Sequence, residues 1–296
     1  VNLSPQSRQK SRISKSLNYA KGLLNTMIET VLDLNPVILT LIATSFTWLM
    51  TAFGASTVLL TKNIDRKLLD GSLGFAAGVM IAASFWSLLA PALEMSVEWG
   101  RLTWVPAATG FLLGSVFLAG IDRIIPHLHV GCPIGEAEGI KTTWHRNRLI
   151  IFAVALHNIP EGLAIGVSFG AVAAGFEHTS LFAVIALVIG MGIHNFPEGI
   201  VVSIPLRGEG MSKLKSFWYG QLSGFFEVIA GITGVLIVTF SHSILPYALG
   251  FAAGAMIFVV VEEVIPECQS GGNTDLATLC IIGGFLLMMI LTVTFG

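Results

Sequence analysis

Residues 149–174 read LIIFAVALHNIPEGLAIGVSFGAVAA, twenty-six residues that carry one formal charge, Glu161. A helix needs about 20 mostly apolar residues to cross a bilayer, and this stretch is long enough. Outward from it, comparable runs recur at 36–60, 71–93, 104–121, 180–206, 216–240, 244–266 and 276–296, which makes eight spans. Backbone polar groups in lipid must be satisfied within the span, so each is expected to be a helix. The period-2 alternation of a membrane β-barrel is absent. Composition agrees: of 296 residues 54% are hydrophobic and 11% charged, against roughly 25% charged in a soluble domain, and the mean hydropathy is +0.80. An ordinary soluble enzyme is excluded. The formal net charge of -2 gives no sign of a nucleic-acid partner, and Cys132, Cys268 and Cys280 are too scattered for a disulfide framework. The expected fold class is an all-α polytopic membrane protein, with the lipid bilayer as its surroundings.

Residues 1–34 differ, with Arg8, Lys10, Arg12, Lys15 and Lys21 among Ser, Asn and Gln. They are expected to form a basic N-terminal tail with an interfacial helix over 17–34, ahead of a membrane domain at 35–296. No pattern of a cleavable leader is present. Ten basic residues lie in the links after spans one, three and five: Lys62, Arg66, Lys67, Arg123, Lys141, Arg146, Arg148, Arg207, Lys213 and Lys215. The opposite links carry Arg101 alone, although the five tail charges lie on that side. Short loops and span ends weigh most in setting topology. The Lys/Arg-rich links are therefore expected in the cytoplasm, with both termini extracytoplasmic and the protein in the plasma (inner) membrane.

Two internal repeats organise the spans. LGFAAGVMI at 73–81 returns as LGFAAGAMI at 249–257 with eight of nine positions identical, and Pro91 and Pro266 follow the two copies. The copies lie in spans two and seven, which run in opposite directions. HNIPEG at 157–162 and HNFPEG at 194–199 fall in the adjacent, antiparallel spans four and five. Both pairs fit one inverted repeat about an axis in the membrane plane, a construction plan common among secondary transporters.

In each HNxPEG copy the His and Glu are four apart and share a helix face, with Asn158 and Asn195 about 100° further round. Pro160 and Pro197 lack an N–H and free the carbonyls of Leu156 and Ile193. Facing copies supply two His, two Glu and two Asn, and imidazole with carboxylate suits zinc and similar divalent ions. Cost argues the same way, since an ionised Glu at the bilayer centre is expensive. No Lys or Arg occurs from 149 to 206 or from 216 to 296, so Glu161, Glu198 and Glu227 have no basic partner in their own spans. They are either protonated through desolvation or neutralised by a mobile cation, and two nearby histidines favour the cation.

Ordinary explanations exist for the parts taken singly. A PEG alone is most often a kink, a lone membrane His a packing residue, and Met80 a gap filler whose soft sulfur matters only if it faces the same cavity. The full motif occurring twice is what points to metal or proton chemistry. Asp122, His127 and His129 after span three, with Glu262, Glu263 and Glu267 near the end of span seven, reach the same Lys/Arg-rich side. They form either a second cation site or a solvated vestibule. Asp70 and Glu94 flank span two and read as surface charges.

At HNIPEG and HNFPEG the sequence resembles the ZIP family of divalent metal transporters, its bacterial GufA-like members in particular, and the similarity runs across spans two to eight. The resemblance implies a 3+2+3 inverted arrangement of helices, homodimers, and zinc as substrate, with Fe2+, Mn2+ or Cd2+ shared by some members and no prosthetic group. Carried over, it makes His157, Glu161, His194 and Glu198 the core of the metal site, with Met80 completing a first position. It makes Asn158, Asn195 and Glu227 a second position sharing both glutamates, and Asp122, His127, His129, Glu262 and Glu263 exit-side ligands. Some bacterial relatives place an acid where Asn195 stands and another near Thr292; this chain has neither.

The function expected is a secondary transporter that takes divalent ions into the cytoplasm by alternating access, not an enzyme. No GxxxxGK[ST] motif for ATP is present. The rival is an intramembrane zinc-dependent hydrolase with Glu161 or Glu198 as general base. Mirrored ligands and the lack of HExxH argue against it. A third reading is a proton or sodium antiporter.

Overall fold

The computed structural model describes residues 34–61, 64–128, 135, 139–142, 146–176 and 179–295. The expected tail helix and His129 lie outside the described residues. Eight helices are long and apolar enough to cross a membrane: α1 Pro36–Leu59, α2 Arg66–Glu94, α3 Trp104–Ile124, α4 Ile151–Ala173, α5 Leu181–Gly208, α6 Lys213–Phe240, α7 His242–Ser270 and α8 Thr274–Phe295. Their starts follow from local chemistry. Asn35 caps α1 by accepting from the Val37 N–H, with Pro36 in the first turn where its missing N–H costs nothing. Asp65, Ser180 and Ser212 cap α2, α5 and α6 in the same way.

Helix α2 begins at Arg66, a full turn before the expected 71, capped by Asp65 and tied by polar pairing to the end of α7 and the residue ahead of α8. Arg66 Nε lies 2.6 Å from Asp70 Oδ1, and Asn273 donates to Asp70 Oδ2 at 2.8 Å. The same guanidinium reaches Glu267 Oε1 at 3.0 Å. Asp70 is fully buried, which corrects its reading as a surface charge; Glu94 is exposed, as expected.

The main packing partners are α2 with α8, α3 with α7, α4 with α6, and α1 with both α5 and α6. The LGFAAG repeat makes two of these contacts. A Cβ on Gly78 would collide with the Ile281 carbonyl of α8, and one on Gly254 with the Phe111 carbonyl of α3. Small residues in membrane helices let backbones approach closely, the source of packing energy where lipid removes the hydrophobic drive. The repeat thus encodes helix pairing.

Beyond each copy the helix widens to a π-helical turn, Ala83–Leu89 in α2 and Val260–Val264 in α7. Pro91 and Pro266 follow these turns. A proline supplies no N–H and its ring crowds the carbonyl four residues back, and one-turn π segments absorb such a break. In α7 the wide turn sends Glu263 into the bundle while its neighbour Glu262 stays exposed.

Candidate metal site

The two motifs sit where helices touch most closely. Gly162 packs on the Glu227 carbonyl of α6, and Gly199 on the Thr51 carbonyl of α1. This seats the polar residues of α4 and α5 in the middle of the bundle, away from lipid.

Glu161, His194 and Glu198 converge there. His194 Nε2 lies 2.6 Å from Glu161 Oε1, and one ligand atom from each of the three lies within 4.8 Å of the others. All three are buried. The asparagines act as cross-links between spans. Asn158 of α4 donates to Glu198 Oε1 of α5 at 2.5 Å, and Asn195 of α5 donates to Glu227 Oε2 of α6 at 2.7 Å. Each acid is thereby held by the amide of the preceding span.

The atoms left over are all electron-rich. Glu161 Oε2, Glu198 Oε2, Asn158 Oδ1, Asn195 Oδ1 and His194 Nδ1 are buried without a hydrogen-bond partner. Leaving one buried polar group unpaired costs about 1–3 kcal/mol, and native interiors rarely tolerate it. Here five such atoms belong to the two motifs, and with His194 donating from Nε2 to Glu161 each of them is an acceptor. That is the donor set of a cation site.

His157 departs from the expected meeting of both histidines with both glutamates. Its Nε2 lies 2.5 Å from Glu263 Oε2, because the wide turn of α7 delivers a buried carboxylate within its reach. Glu263 in turn lies with Asp122 and His127, whose ligand atoms are within 4.8 Å of one another. His127 is held by Asp122 at 2.9 Å and by the Ile125 carbonyl at 2.9 Å. Glu262 lines the adjoining cavity but does not join that cluster.

A cavity of about 340 Å³ is lined by Glu161, His194 and Glu198 and by the paired His157 and Glu263. Met80, fully buried, lines it with His157, Glu161, His194 and Glu198. From there it runs past Glu263 to Pro266, Glu267 and Ser270 at the end of α7, on the Lys/Arg-rich side. Among the described residues none that lines it is Lys or Arg, so low-dielectric walls and carboxylates concentrate a potential that attracts cations. On the far side of the site, fully buried Ile165, Leu187 and Met191 belong to the main apolar core.

Residues 136–292 match the family model described as ZIP Zinc transporter. The chain is also 40% identical to the zinc transporter ZIP11 of Xenopus tropicalis, over 88% of this chain and 98% of that protein. The chain belongs to the ZIP family. Other ZIP relatives include the zinc transporter GufA of Myxococcus xanthus, 36% identical over 86% of this chain and 98% of that protein. The zinc transporter ZIPB of Bordetella bronchiseptica is 37% identical over 83% and 78% respectively. Membership of the ZIP family, with eight apolar helices, makes the chain an integral membrane protein. These ZIP relatives are all named as transporters, and the hydrolase reading gains no support from them.

Two features of this ZIP protein escaped the sequence. The His157–Glu263 contact joins two clusters that spacing along the chain kept separate. The Arg66–Asp70 pair had a signal that went unused: the residues are four apart in RKLLD, the spacing of a helical ion pair.

Proposed function

We propose that the chain carries zinc, and with it Fe2+, Mn2+ or Cd2+, from outside the cell to the cytoplasm by alternating access. The observation that carries this reading is the convergence of Glu161, His194 and Glu198, together with buried acceptor atoms on these residues and on Asn158 and Asn195 that no donor among the described residues satisfies. A divalent ion satisfies them together, and carboxylate with imidazole is a zinc donor set. His157, Glu161, His194 and Glu198 are the core ligands, with the Met80 thioether beside them. Asn158, Asn195 and Glu227 serve a second position that shares the two glutamates. Asp122, His127, His129, Glu262 and Glu263 receive the ion on its way out, which fits the direction in which the cavity runs.

The helix pairing supports an inverted repeat. Exchanging α2 for α7 and α3 for α8 turns the α2–α8 contact into α7–α3. Exchanging α4 for α5 and α6 for α1 turns α4–α6 into α5–α1. The π-helical turns after both LGFAAG copies follow the same exchange. This is the 3+2+3 arrangement, with α4 and α5 on the axis, and residues 35–296 as one transport domain behind a basic tail. The Lys/Arg-rich links face the cytoplasm, both termini lie outside, and the protein works in the inner membrane as a homodimer without a prosthetic group. An inside-negative potential drives inward flux, with two charges gaining about 4.6 kcal/mol per 100 mV if they cross the whole field.

The test is zinc entry into proteoliposomes that hold a zinc dye, comparing wild type with Glu161→Ala and His157→Ala. Entry in wild type that collapses in both variants is the expected result. Protein that keeps bound zinc yet passes none under a negative potential overturns the transport reading.

A further inference from the structure

A cavity of about 540 Å³ lies between two of the helix pairs, α3 with α7 and α4 with α6, and the metal site makes no use of it. Small residues shape it. A Cβ on Gly110 of α3 would collide with the Tyr247 carbonyl of α7, and one on Gly234 of α6 would crowd the Leu163 carbonyl of α4. Close approach within each pair leaves a groove between the pairs. Its described lining is apolar except for Thr233 and Tyr247, and the Thr233 hydroxyl is spent on the Ile229 carbonyl of its own helix at 2.8 Å. Leu113, Phe117, Ile229 and Ile237 line it and are exposed, so it opens sideways, out of the bundle.

We propose that this groove holds one acyl chain of a bilayer phospholipid. Its place in the fold argues for that occupant. Ile237 near the end of α6 and Ile244 near the start of α7 mark one end, on the side away from the Lys/Arg-rich links. Phe226 of α6 and Ile159 of α4 mark the other, next in sequence to Glu227 and Asn158. From Phe226 to Ile237 the helix rises about 16 Å, and half of a bilayer's hydrocarbon core is about 15 Å. The groove therefore runs the depth of one leaflet and stops level with the metal site. Water is a poor occupant, since it needs several polar partners. An empty groove forfeits the dispersion contacts of its walls. A dry apolar cavity of about 150 Å³ takes one benzene, so about 540 Å³ has room for roughly 20 carbons, one acyl chain and not two. The chain packs on the back of the helices that carry the ligands. A shift of one helix pair against the other changes the width of the groove, so its occupancy bears on transport. That bearing rests on the alternating-access reading, whereas the binding itself does not.

Native mass spectrometry of the detergent-purified full-length protein, titrated with palmitoyl-oleoyl phosphatidylethanolamine, tests the binding. Lipids that merely surround the protein leave first on collisional activation, and one lipid per chain is expected to stay. Thr233→Trp fills the groove from an exposed position and is expected to weaken that binding about fivefold or more. Ile282→Trp places the same bulk on the exposed face of α8 and is expected to leave it unchanged. Zinc bound at the central site stays the same in both variants, as a check on folding. In proteoliposomes Thr233→Trp is expected to lower the Vmax of zinc entry about three- to tenfold with KM within about twofold, because a tethered ring cannot yield as a free chain does. Wild type that retains no lipid, as when another part of the chain fills the groove, overturns the proposal. Retention that Thr233→Trp leaves intact, or that Ile282→Trp removes equally, also overturns it. Dimers that Thr233→Trp splits without loss of lipid assign the groove to a second copy instead. Loss of lipid with full Vmax upholds the site and removes its bearing on transport. Retained lipid in a protein that passes no zinc upholds the site and removes the transport reading alone.

Discussion

The Nε2 atom of His157 lies 2.5 Å from Oε2 of Glu263, so the first histidine of the α4 motif is engaged by the acidic turn of α7. Glu263 also belongs to the group formed with Asp122 and His127. One carboxylate therefore touches both the α4 motif and the group of Asp122 and His127, and on the proposed reading an ion leaving Glu161, His194 and Glu198 passes it on the way out. Removing the partner that orients a ligating histidine typically costs about 10–100-fold in metal affinity or activity. Glu263→Gln is expected to lower the Vmax of zinc entry about tenfold, with a smaller change in KM; initial-rate measurements over a range of zinc concentrations decide it.

Asn158 holds Glu198 by a short amide hydrogen bond. Hydrogen bonds to a charged group contribute about 1.5–3 kcal/mol, so Asn158→Ala is expected to weaken zinc binding by tenfold or more on that scale. Titration against a competing zinc dye measures it. Asn195→Ala acts on Glu227 instead and is expected to affect a second bound ion more than the first, visible as a lower zinc stoichiometry.

Backbone contact at Gly78 leaves no room for a methyl group. Overpacking of a tight interface costs about 1–3 kcal/mol, and Gly78→Ala should lower the thermal midpoint of the detergent-solubilised protein accordingly. Gly283, in α8, has nothing within 4 Å of where its Cβ would lie. Gly283→Ala is therefore expected to leave the midpoint unchanged or raise it, since Ala is the better helix former by about 1 kcal/mol.

Zinc entry should weaken in acid. A ligating imidazole must be neutral and a ligating carboxylate ionised, so if His157, His194, Glu161 and Glu198 are the ligands proposed above, protons compete with the metal there. Binding releases protons, which makes apparent affinity fall as external pH falls and recover as it rises. The KM for zinc entry at pH 5.5 is expected to exceed that at pH 7.5, and an unchanged KM across this range would show that these groups are not the ligands.

Arg66 is half-exposed, while its partner Asp70 is fully buried. Removing one member of a buried pair leaves the other's charge uncompensated, at about 3–5 kcal/mol where both are deeply buried; the exposure of Arg66 puts Arg66→Ala below that range. Adding Asp70→Asn to Arg66→Ala should restore much of the loss, as measured by thermal unfolding in detergent.

The spans were legible because bilayer thickness sets a length that apolar runs either reach or miss. Their ends were less so: α2 extends back to Arg66, where an ion pair and Asn273 satisfy the buried Asp70, and hydropathy counts Arg66 and Asp70 as polar whatever their partners. The convergence of Glu161, His194 and Glu198 could be read from a motif that occurs twice on antiparallel spans. The turning of His157 towards Glu263 was hidden, because it depends on the extra residue per turn that the π segment ahead of Pro266 introduces. The asparagines illustrate the same limit. Spacing put them near the glutamates, but only the fold shows that each donates to an acid on the next span.

No principal helix pair in this bundle joins neighbours in the chain: α1 packs with α5 and α6, α2 with α8, α3 with α7, and α4 with α6. As the chain lengthens during synthesis, α1 to α4 must each sit in lipid without their final partner, and α2 waits until the last span has been made. Its glycine face is exposed for all that time. A chain cut short before α8 therefore leaves a helix whose backbone ridge is open to any small-residue helix nearby.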